Sequence, residues 1–371
     1  VRLLDRYLFR ELLTPLAYCL GGFLIFWISF DLFNELEELQ ERKMHLLDVI
    51  AYVAALTPGF LVTVLPIALL LALLYALTNH ARHNELTAMR AAGVSLWRLC
   101  LPYFFVGLMA SFALFALNEF AAPRGIDWAN QIRTRHVHRP DDDAAADQFH
   151  GFSNAHAHRL WQFDAYHIPE AEMLRVKASW TLPDGSWRQL QAERAVFTNG
   201  AWTFFKATGY AQLTPNGDLI PTLATNVLAM PEFDETPRQI QSEIKISGYQ
   251  NFRSSRKPDL VLADIFNYLR LHPDLPRDQA GWLLTEFYGR LAAPWTCLVV
   301  VFIAIPFGAG SGRRNLFFGV AGGIFICFAF FIVQKIGFYL GVGSHLPAWL
   351  AAWLPNLIFA ATGLLLAARV R

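Results

Sequence analysis

The segment NELTAMRAAGVS, residues 84–95, is a polar island between an apolar run that ends near Leu77 and another that begins near Leu99. Coiled as a helix, it sets Glu85, Met89 and Ala92 at i, i+4 and i+7, with Leu86 and Arg90 beside them. An acidic, a soft apolar and a small side chain then share one exposed face. That combination suits docking, an amphipathic helix laid into a partner's groove, rather than bond-making. Asn84 is placed to cap the helix, Glu85 lies beside the positive end of its dipole, and Gly93 can close it in a left-handed conformation before Ser95 opens the next helix. A turn resting against lipid headgroups is the competing reading. Glu85→Lys separates the two: it does little to a headgroup contact and breaks a socket.

Catalytic chemistry has no comparable footing. No lysine follows a glycine, so the phosphate loop GxxxxGK[ST] is absent, and GAGSGRRN, residues 308–315, reads as a tight cytoplasmic turn. Neither H-E-x-x-H nor G-x-S-x-G occurs. The chain is expected not to be an enzyme, with no catalytic residue, metal ligand or cofactor assigned. His136, His138, His150, His156 and His158 raise the question of zinc or copper, but no cysteine accompanies them and their spacing fits no structural zinc pattern. Asp31, Glu286, Arg290 and Lys335 fall within about two or three helical turns of the outer edges of apolar runs, which leaves the bilayer centre empty of charge. An ion-driven carrier is therefore disfavoured, and the energy for any transport comes from elsewhere.

These residues need a membrane scaffold to position them, and composition supplies one. Of 371 residues, 54% are hydrophobic and 16% charged, against roughly 25% charged in soluble domains. Six stretches, about 12–33, 48–78, 100–118, 282–307, 316–340 and 347–367, are long enough to cross hydrocarbon as helices. The second is overlong and carries Pro58 and Pro66, predicting tilt or a broken entry; Pro294 and Pro306 repeat the pattern in the fourth. Arg2, Arg6, Arg10, Arg82, Arg90, Arg98, Arg313, Arg314, Arg369 and Arg371 flank one side, against Arg42 and Lys43 on the other, which predicts both termini in the cytoplasm. The first span exceeds a usual signal-peptide core, no A-x-A site follows it, and bulky Tyr18 argues against processing at Cys19, so it is expected to be retained. Cys19, Cys100, Cys297 and Cys327 lie in or beside spans and read as packing residues. A net charge of +1 with no basic patch argues against nucleic acid.

From Asn118 the texture changes. RLWQFDAYHI, LRVKASWTL, WRQLQAERAVFT and AWTFFKATGYAQL are short, aromatic and alternating, and PDG, TNG and PNG are turn signals between them. They predict an antiparallel β domain on the non-cytoplasmic face, with a sandwich as the first choice of architecture. HVHRPDDDAAADQFHG before it reads as a solvated connection. PDLVLADIFNYLRLHP after it reads as a helix ended by Pro273 that carries the chain back towards the membrane. The predicted organisation is residues 1–118 for three spans with the short cytoplasmic helix at 84–93, 119–257 for the β domain, 258–281 for the connecting helix and 282–371 for the last three spans.

In order along the chain, LLDRYLFREL, PIALLLALLYAL with RHNELTAMRAAGVSLWRL, NEFAAPRG, FYGRLAAP and LPAWLAAWLPNLIF resemble the recurring segments of the LptF/LptG lipopolysaccharide export permeases. LLDRY and FYGRLAAPW look nearer to the LptG branch. The resemblance covers the chain from end to end. It implies an α-helical inner-membrane protein of six transmembrane helices with an inserted periplasmic, β-jellyroll-like antiparallel domain. It also implies an ABC-type exporter in which two permeases, one LptF-like, enclose a cavity, a dimeric LptB-like ATPase drives them, and lipopolysaccharide passes to LptC- and LptA-like periplasmic proteins. The family's coupling helix matches residues 84–93, which assigns ATPase coupling to Glu85, Leu86, Met89, Arg90, Ala92 and Gly93. Family members carry basic residues near the outer end of the first span, whereas this chain has Asp31, Glu35, Glu37 and Glu38 there. By position, Arg42, Lys43, Arg290 and Lys335 could meet lipid phosphates instead, Lys335 lying roughly 30 Å into its span; snorkelling without substrate is the plainer reading of each. Trp180, Phe197 and Phe204 are candidates for an apolar lipid path through the β domain, with a packed core the plainer reading of all three. Two other readings remain: a mechanotransmission or lipoprotein-release ABC permease, which has fewer spans, and a membrane assembly scaffold that transports nothing.

Overall fold

The computed structural model describes residues 3–41, 44–135, 150–154, 157–167, 171–182, 186–198, 200–212, 220–247, 260–273, 275–309 and 316–369. It divides into a helical unit, Val1–His136 with Arg277–Arg371, and a unit built on a sheet, Val137–Pro276. Both limits of the sheet unit lie further along the chain than 119 and 257. Among the described residues six helices are long and apolar enough to cross a membrane.

The helical unit opens with α1 (Leu3–Glu41) and α2 (Leu46–Arg82), then the short α3 (Glu85–Ala91) and α4 (Leu96–Ala116). A π-helical turn, Leu117–Ala121, joins α4 to α5 (Ala122–Arg135). The third span therefore does not stop at Asn118. The apolar run ends there, but Gly125, Ala129 and Ile132 are buried at i, i+4 and i+7, and Ala129 and Ile132 cluster with Tyr52 and Ala55 of α2. Gly125 permits the approach: a Cβ there would stand 2.1 Å from the Ala55 carbonyl oxygen. α2 is not broken by its prolines. It runs as one helix of 37 residues with Pro58 and Pro66 inside it, each removing one backbone donor. Eight of its residues between Ala68 and Leu77 are buried, since this helix packs against α1, α4, α5 and later spans together. Leu8, Leu12 and Leu16 of α1, Leu99, Cys100 and Tyr103 of α4, and Val301, Ala304 and Ile305 from the fourth span complete that cluster.

The fourth span is broken, as its proline suggested: α8 (Arg277–Ala292), a 3-10 turn Ala293–Trp295, then α9 (Thr296–Ala309). The Thr296 N–H turns to the Ala293 carbonyl, so the Ala292 carbonyl loses its intrahelical donor. Asn356 of α11 (Ala348–Arg369) donates its side-chain N–H to that oxygen at 2.7 Å, and accepts from the Thr296 hydroxyl at 3.3 Å. Asn356→Leu leaves a buried carbonyl unpaired in an apolar setting. We expect it to lower the thermal midpoint of the detergent-purified protein, a loss of about 1–2 kcal/mol, while Asn356→Gln loses less. Between these spans lies α10 (Leu316–Val342), where Gly337 and Gly341 meet Ala351 of α11; a Cβ at Gly337 would stand 2.6 Å from the Ala351 carbonyl oxygen. Small residues four apart let two helix backbones touch, the principal packing device where lipid removes the hydrophobic driving force. The segment 310–315, read as a turn from sequence, lies outside the described residues.

In the sheet unit seven antiparallel strands, β1 (His150–Asn154), β2 (Arg159–Phe163), β3 (Ala165–His167), β4 (Glu172–Thr181), β5 (Trp187–Thr198), β6 (Ala201–Gln212) and β7 (Ile220–Met230), form one sheet in the order β1-β2-β4-β5-β6-β7, with β3 on β4. The predicted two-sheet sandwich is replaced by a single sheet that curls on itself. β2 and β6 are three strands apart, about 14 Å in a flat sheet, yet the Trp161 and Phe204 rings lie 6.0 Å apart. Small residues on the inner face, Ala178, Ala192, Ala195 and Ala207, leave room for that closure. Arg175 and Lys206, in left-handed conformation (φ 50° and 51°) within β4 and β6, interrupt the alternation and bend the strands in the manner of bulges. Phe233, just beyond β7, plugs the fold against Trp161, Trp180 and Phe204.

Its polar staple is buried. Glu235 accepts from Asn154 at 2.9 Å and from the Arg159 guanidinium at 2.5 Å, while its own carbonyl accepts from the Trp202 indole at 2.7 Å. α6 (Pro237–Ser247) follows behind a capping box: the Thr236 N–H donates to Gln239 Oε1 at 2.7 Å, the Gln239 N–H returns to Thr236 Oγ1 at 3.4 Å, and Pro237 takes the first turn. α7 (Leu262–Leu271) packs on α6, with Ser242 donating to Asp264 at 2.9 Å. Burial pushes the Glu243 carboxyl up to about 8 and pushes His272, 3.3 Å away, down. The folded chain thus keeps a proton on Glu243 that the unfolded chain releases near pH 4.3, so this group's stabilisation is present below that pH and is lost as pH rises towards 8. Glu243→Gln should flatten the pH dependence of the sheet unit's melting across that window, removing a slope of up to about 1.4 kcal/mol per pH unit.

Candidate functional site

The island opens differently from its sequence reading. Asn84 is left-handed (φ 57°) and makes no side-chain cap; its N–H donates to the Ala81 carbonyl at 3.1 Å and its carbonyl accepts from the Ala88 N–H at 2.9 Å, so it closes α2 and opens α3 through the backbone alone. Two residues must reverse the chain between helices, and Asn tolerates the left-handed region. The other end follows expectation. Gly93 is left-handed (φ 84°), its N–H bonds to the Arg90 carbonyl at 2.9 Å and the Val94 N–H to the Met89 carbonyl at 3.2 Å, the paired bonds of a Schellman closure. The Ser95 hydroxyl then accepts from the Arg98 N–H at 3.3 Å to start α4.

Glu85, Met89 and Ala92 do not share an exposed face. Leu86 is buried in the helical core and Met89 packs partly against the same cluster, which gives so short a helix its apolar attachment to the bundle. The outward surface is Thr87, Ala88, Ala91 and Ala92, with Arg90 and Gly93 beside them. Glu85 turns inwards. Its carboxylate accepts from the Tyr7 hydroxyl at 3.0 Å and lies 2.6 Å from Nδ1 of His80, a ring only 1% exposed. The carboxylate accepts there, so Nδ1 carries the proton. Burial alone raises the Glu85 carboxyl, but the bonds from His80 and Tyr7 outweigh it and hold the group below its ordinary value, charged at neutral pH. Tyr7 and His80 escaped the sequence reading. His80 stands one turn and a reversal before Glu85, which was readable; Tyr7 is 78 residues away, which was not.

Arg42 and Lys43 lie outside the described residues, and Lys335 is exposed on α10. Arg290 is committed to the protein: it is buried, its Nε lies 3.3 Å from Glu286, and its Nη1 donates to the Asn118 carbonyl at 3.4 Å. That carbonyl needs a donor because the Ala122 N–H is drawn to Leu117 by the π turn and Pro123 has none to offer. Phe204 is fully buried, and Trp180 and Phe197 are half-buried against Phe233 and Trp202 at 5.4 and 5.2 Å, all three packed in the core of the sheet unit. His136, His138 and His156 lie outside the described residues, and among those described no group of three His, Cys, Asp or Glu is arranged to hold a metal.

Six apolar helices split by a sheet unit, with a short stapled helix between the second and third, define a multi-pass membrane protein of the permease type. The chain belongs to the LptF/LptG family: the model described as "Lipopolysaccharide export system permease LptF/LptG" matches residues 6–369. Among curated relatives, the "Lipopolysaccharide export system permease protein LptG" of Haemophilus influenzae is 20% identical, with 97% of this chain and 96% of that protein aligned. At family level the chain is a lipopolysaccharide export permease of the inner membrane, a transport subunit rather than an enzyme.

Proposed function

We propose that this chain is the LptG-type permease of an ATP-driven exporter that draws lipopolysaccharide from the periplasmic leaflet of the inner membrane and passes it to a periplasmic bridge of LptC- and LptA-like proteins. An LptF-like second permease completes the cavity. Both termini lie in the cytoplasm and the sheet unit in the periplasm, supported by the ten arginines that flank the spans on the terminal side. A dimeric LptB-like ATPase supplies force through α3. The observation that carries this reading is the loop between α2 and α4: a closed helix, anchored by Leu86 and Met89, with a small-residue outer surface rimmed by Arg90 and finished by Gly93. Such a surface fits a groove closely and transmits a push without rotating. When ATP binding closes the ATPases, α3 moves and the cavity narrows around acyl chains. Lys335, with Arg42 and Lys43, stands for the phosphate contacts. The test is to purify the chain from native membranes and identify what accompanies it. A nucleotide-hydrolysing subunit, a second permease and bound glycolipid are expected; a chain that comes alone, without stimulating any ATPase, favours a scaffold.

A further inference from the structure

We infer that His80 is a positioning residue for Glu85: it grips the carboxylate from inside the core and leaves part of it open for the ATPase to meet. The inference rests on the coupling role proposed for α3, with Glu85 as its acidic contact. Its basis is how the donors divide between the two oxygens. Oε2 takes the close ones, His80 Nδ1 at 2.6 Å and the Tyr7 hydroxyl at 3.0 Å, while Oε1 has a longer, 3.3 Å contact with Tyr7. A carboxylate has room for about four donors, and the Glu85 side chain is still 32% exposed. It is held from behind and accessible from the front.

His80 is the stiffer of the two grips. Tyr7 is 38% exposed, whereas His80 is enclosed in the last turn of α2 with Ala76, Leu77 and Thr78 buried around it. Packing on every side fixes the ring, and a fixed donor fixes the carboxylate, which then loses less freedom when a partner docks. Burial raises the Glu85 carboxyl, and the His80 bond is the largest of those that reverse it. The placement carries a cost. His80 Nε2 is buried with no hydrogen-bond partner among the described residues, a penalty that an apolar side chain would avoid. Stapling the loop is the plainer use of such a histidine, but the backbone already does that. The His83 and Asn84 N–H groups donate to the Asn79 and Ala81 carbonyls, both at 3.1 Å, the Ala88 N–H donates to the Asn84 carbonyl at 2.9 Å, and Leu86 is in the core. What the imidazole adds is the aim of one side chain.

The experiment uses the full chain in lipid nanodiscs, wild type, His80→Leu and His80→Asn, with the ATPase that co-purifies with the wild type. Four quantities are read: the Kd for that ATPase, the thermal midpoint, hydrogen exchange of residues 84–93, and the rate at which a water-soluble carbodiimide labels Glu85, located by mass spectrometry. For His80→Leu we expect ATPase binding about tenfold weaker and Glu85 labelling about threefold faster, with the thermal midpoint not lowered and the exchange unchanged. His80→Asn, whose amide nitrogen takes the place of Nδ1, should bind within about twofold of wild type. In a Glu85→Gln background, adding His80→Leu should weaken binding no further. Wild-type binding by His80→Leu would overturn the inference. So would weaker binding with faster exchange over residues 84–93, which would make His80 a staple for the loop, or failure of His80→Asn to restore binding. A wild-type chain that retains no ATPase defeats the coupling role instead; the labelling rate then decides whether His80 holds the carboxylate, and an unchanged rate in His80→Leu would show that it does not.

Discussion

Glu85→Lys is expected to reduce lipopolysaccharide export at least tenfold while the chain still inserts and accumulates. Two hydrogen bonds to a charged acceptor are lost, each contributing about 1.5–3 kcal/mol where shielded and less at this partly exposed carboxylate. The replacement also puts an ammonium beside the His80 nitrogen that had donated to the carboxylate, so a donor meets a donor. His80 cannot turn away, being enclosed by the core, and its ring lies 5.7 Å from that of Tyr7. Glu85→Gln keeps an acceptor and should fall between the two. Complementation of a strain depleted of its own permease, with the chain quantified in membranes, reads the effect. Full export by Glu85→Lys would remove Glu85 from the coupling path.

Glu235→Ala should have the largest effect on stability, about 3–5 kcal/mol, because it leaves the Arg159 guanidinium buried without its carboxylate and frees the Asn154 amide. The remaining partners, the Glu232 carbonyl at 3.1 Å and exposed Asp234 at 3.6 Å, compensate in part. Arg159 also lies 4.0 Å over the Phe233 ring, so the change loosens the residue that plugs the curled sheet. Tryptophan fluorescence follows the unfolding directly, since Trp161 and Trp202 sit in that core. A second variant separates charge from shape: Arg159→Met with Glu235→Leu should recover most of the loss, since a matched apolar pair leaves nothing unpaired. A double variant as unstable as Glu235→Ala would mean that the pair positions the 232–236 segment in a way packing cannot replace.

The spans were legible because a charge-poor run of twenty residues has few other uses, and Gly93 because a short helix needs a left-handed residue to close. Asn84 shows the limit: its residue type announced a helix start, but not that it would serve through its backbone, in a left-handed conformation, with its side chain making no cap. The extension of the third span was hidden by averaging. NEFAAPRGIDWANQIRTR is polar overall, and its small buried residues, Gly125 and Ala129, carry little hydropathy although they make the contact. Gly337 and Gly341 were missed for the same reason. Alternation in the strands predicted pairing but not closure, which depends on alanines and on left-handed Arg175 and Lys206 that no turn signal marks. The partner of Arg290 was not legible because it is a backbone carbonyl exposed by a π turn 172 residues away.

Force borrowed from a separate motor through α3 is most directly tested by a photo-crosslinking residue at Ala88, exposed on the outer surface of that helix. Irradiation of intact membranes should join the chain to a nucleotide-hydrolysing protein on the cytoplasmic face, with a yield that changes when ATP is added. Adducts to periplasmic proteins, or labelling of that position by a reagent that cannot cross the membrane, would contradict it.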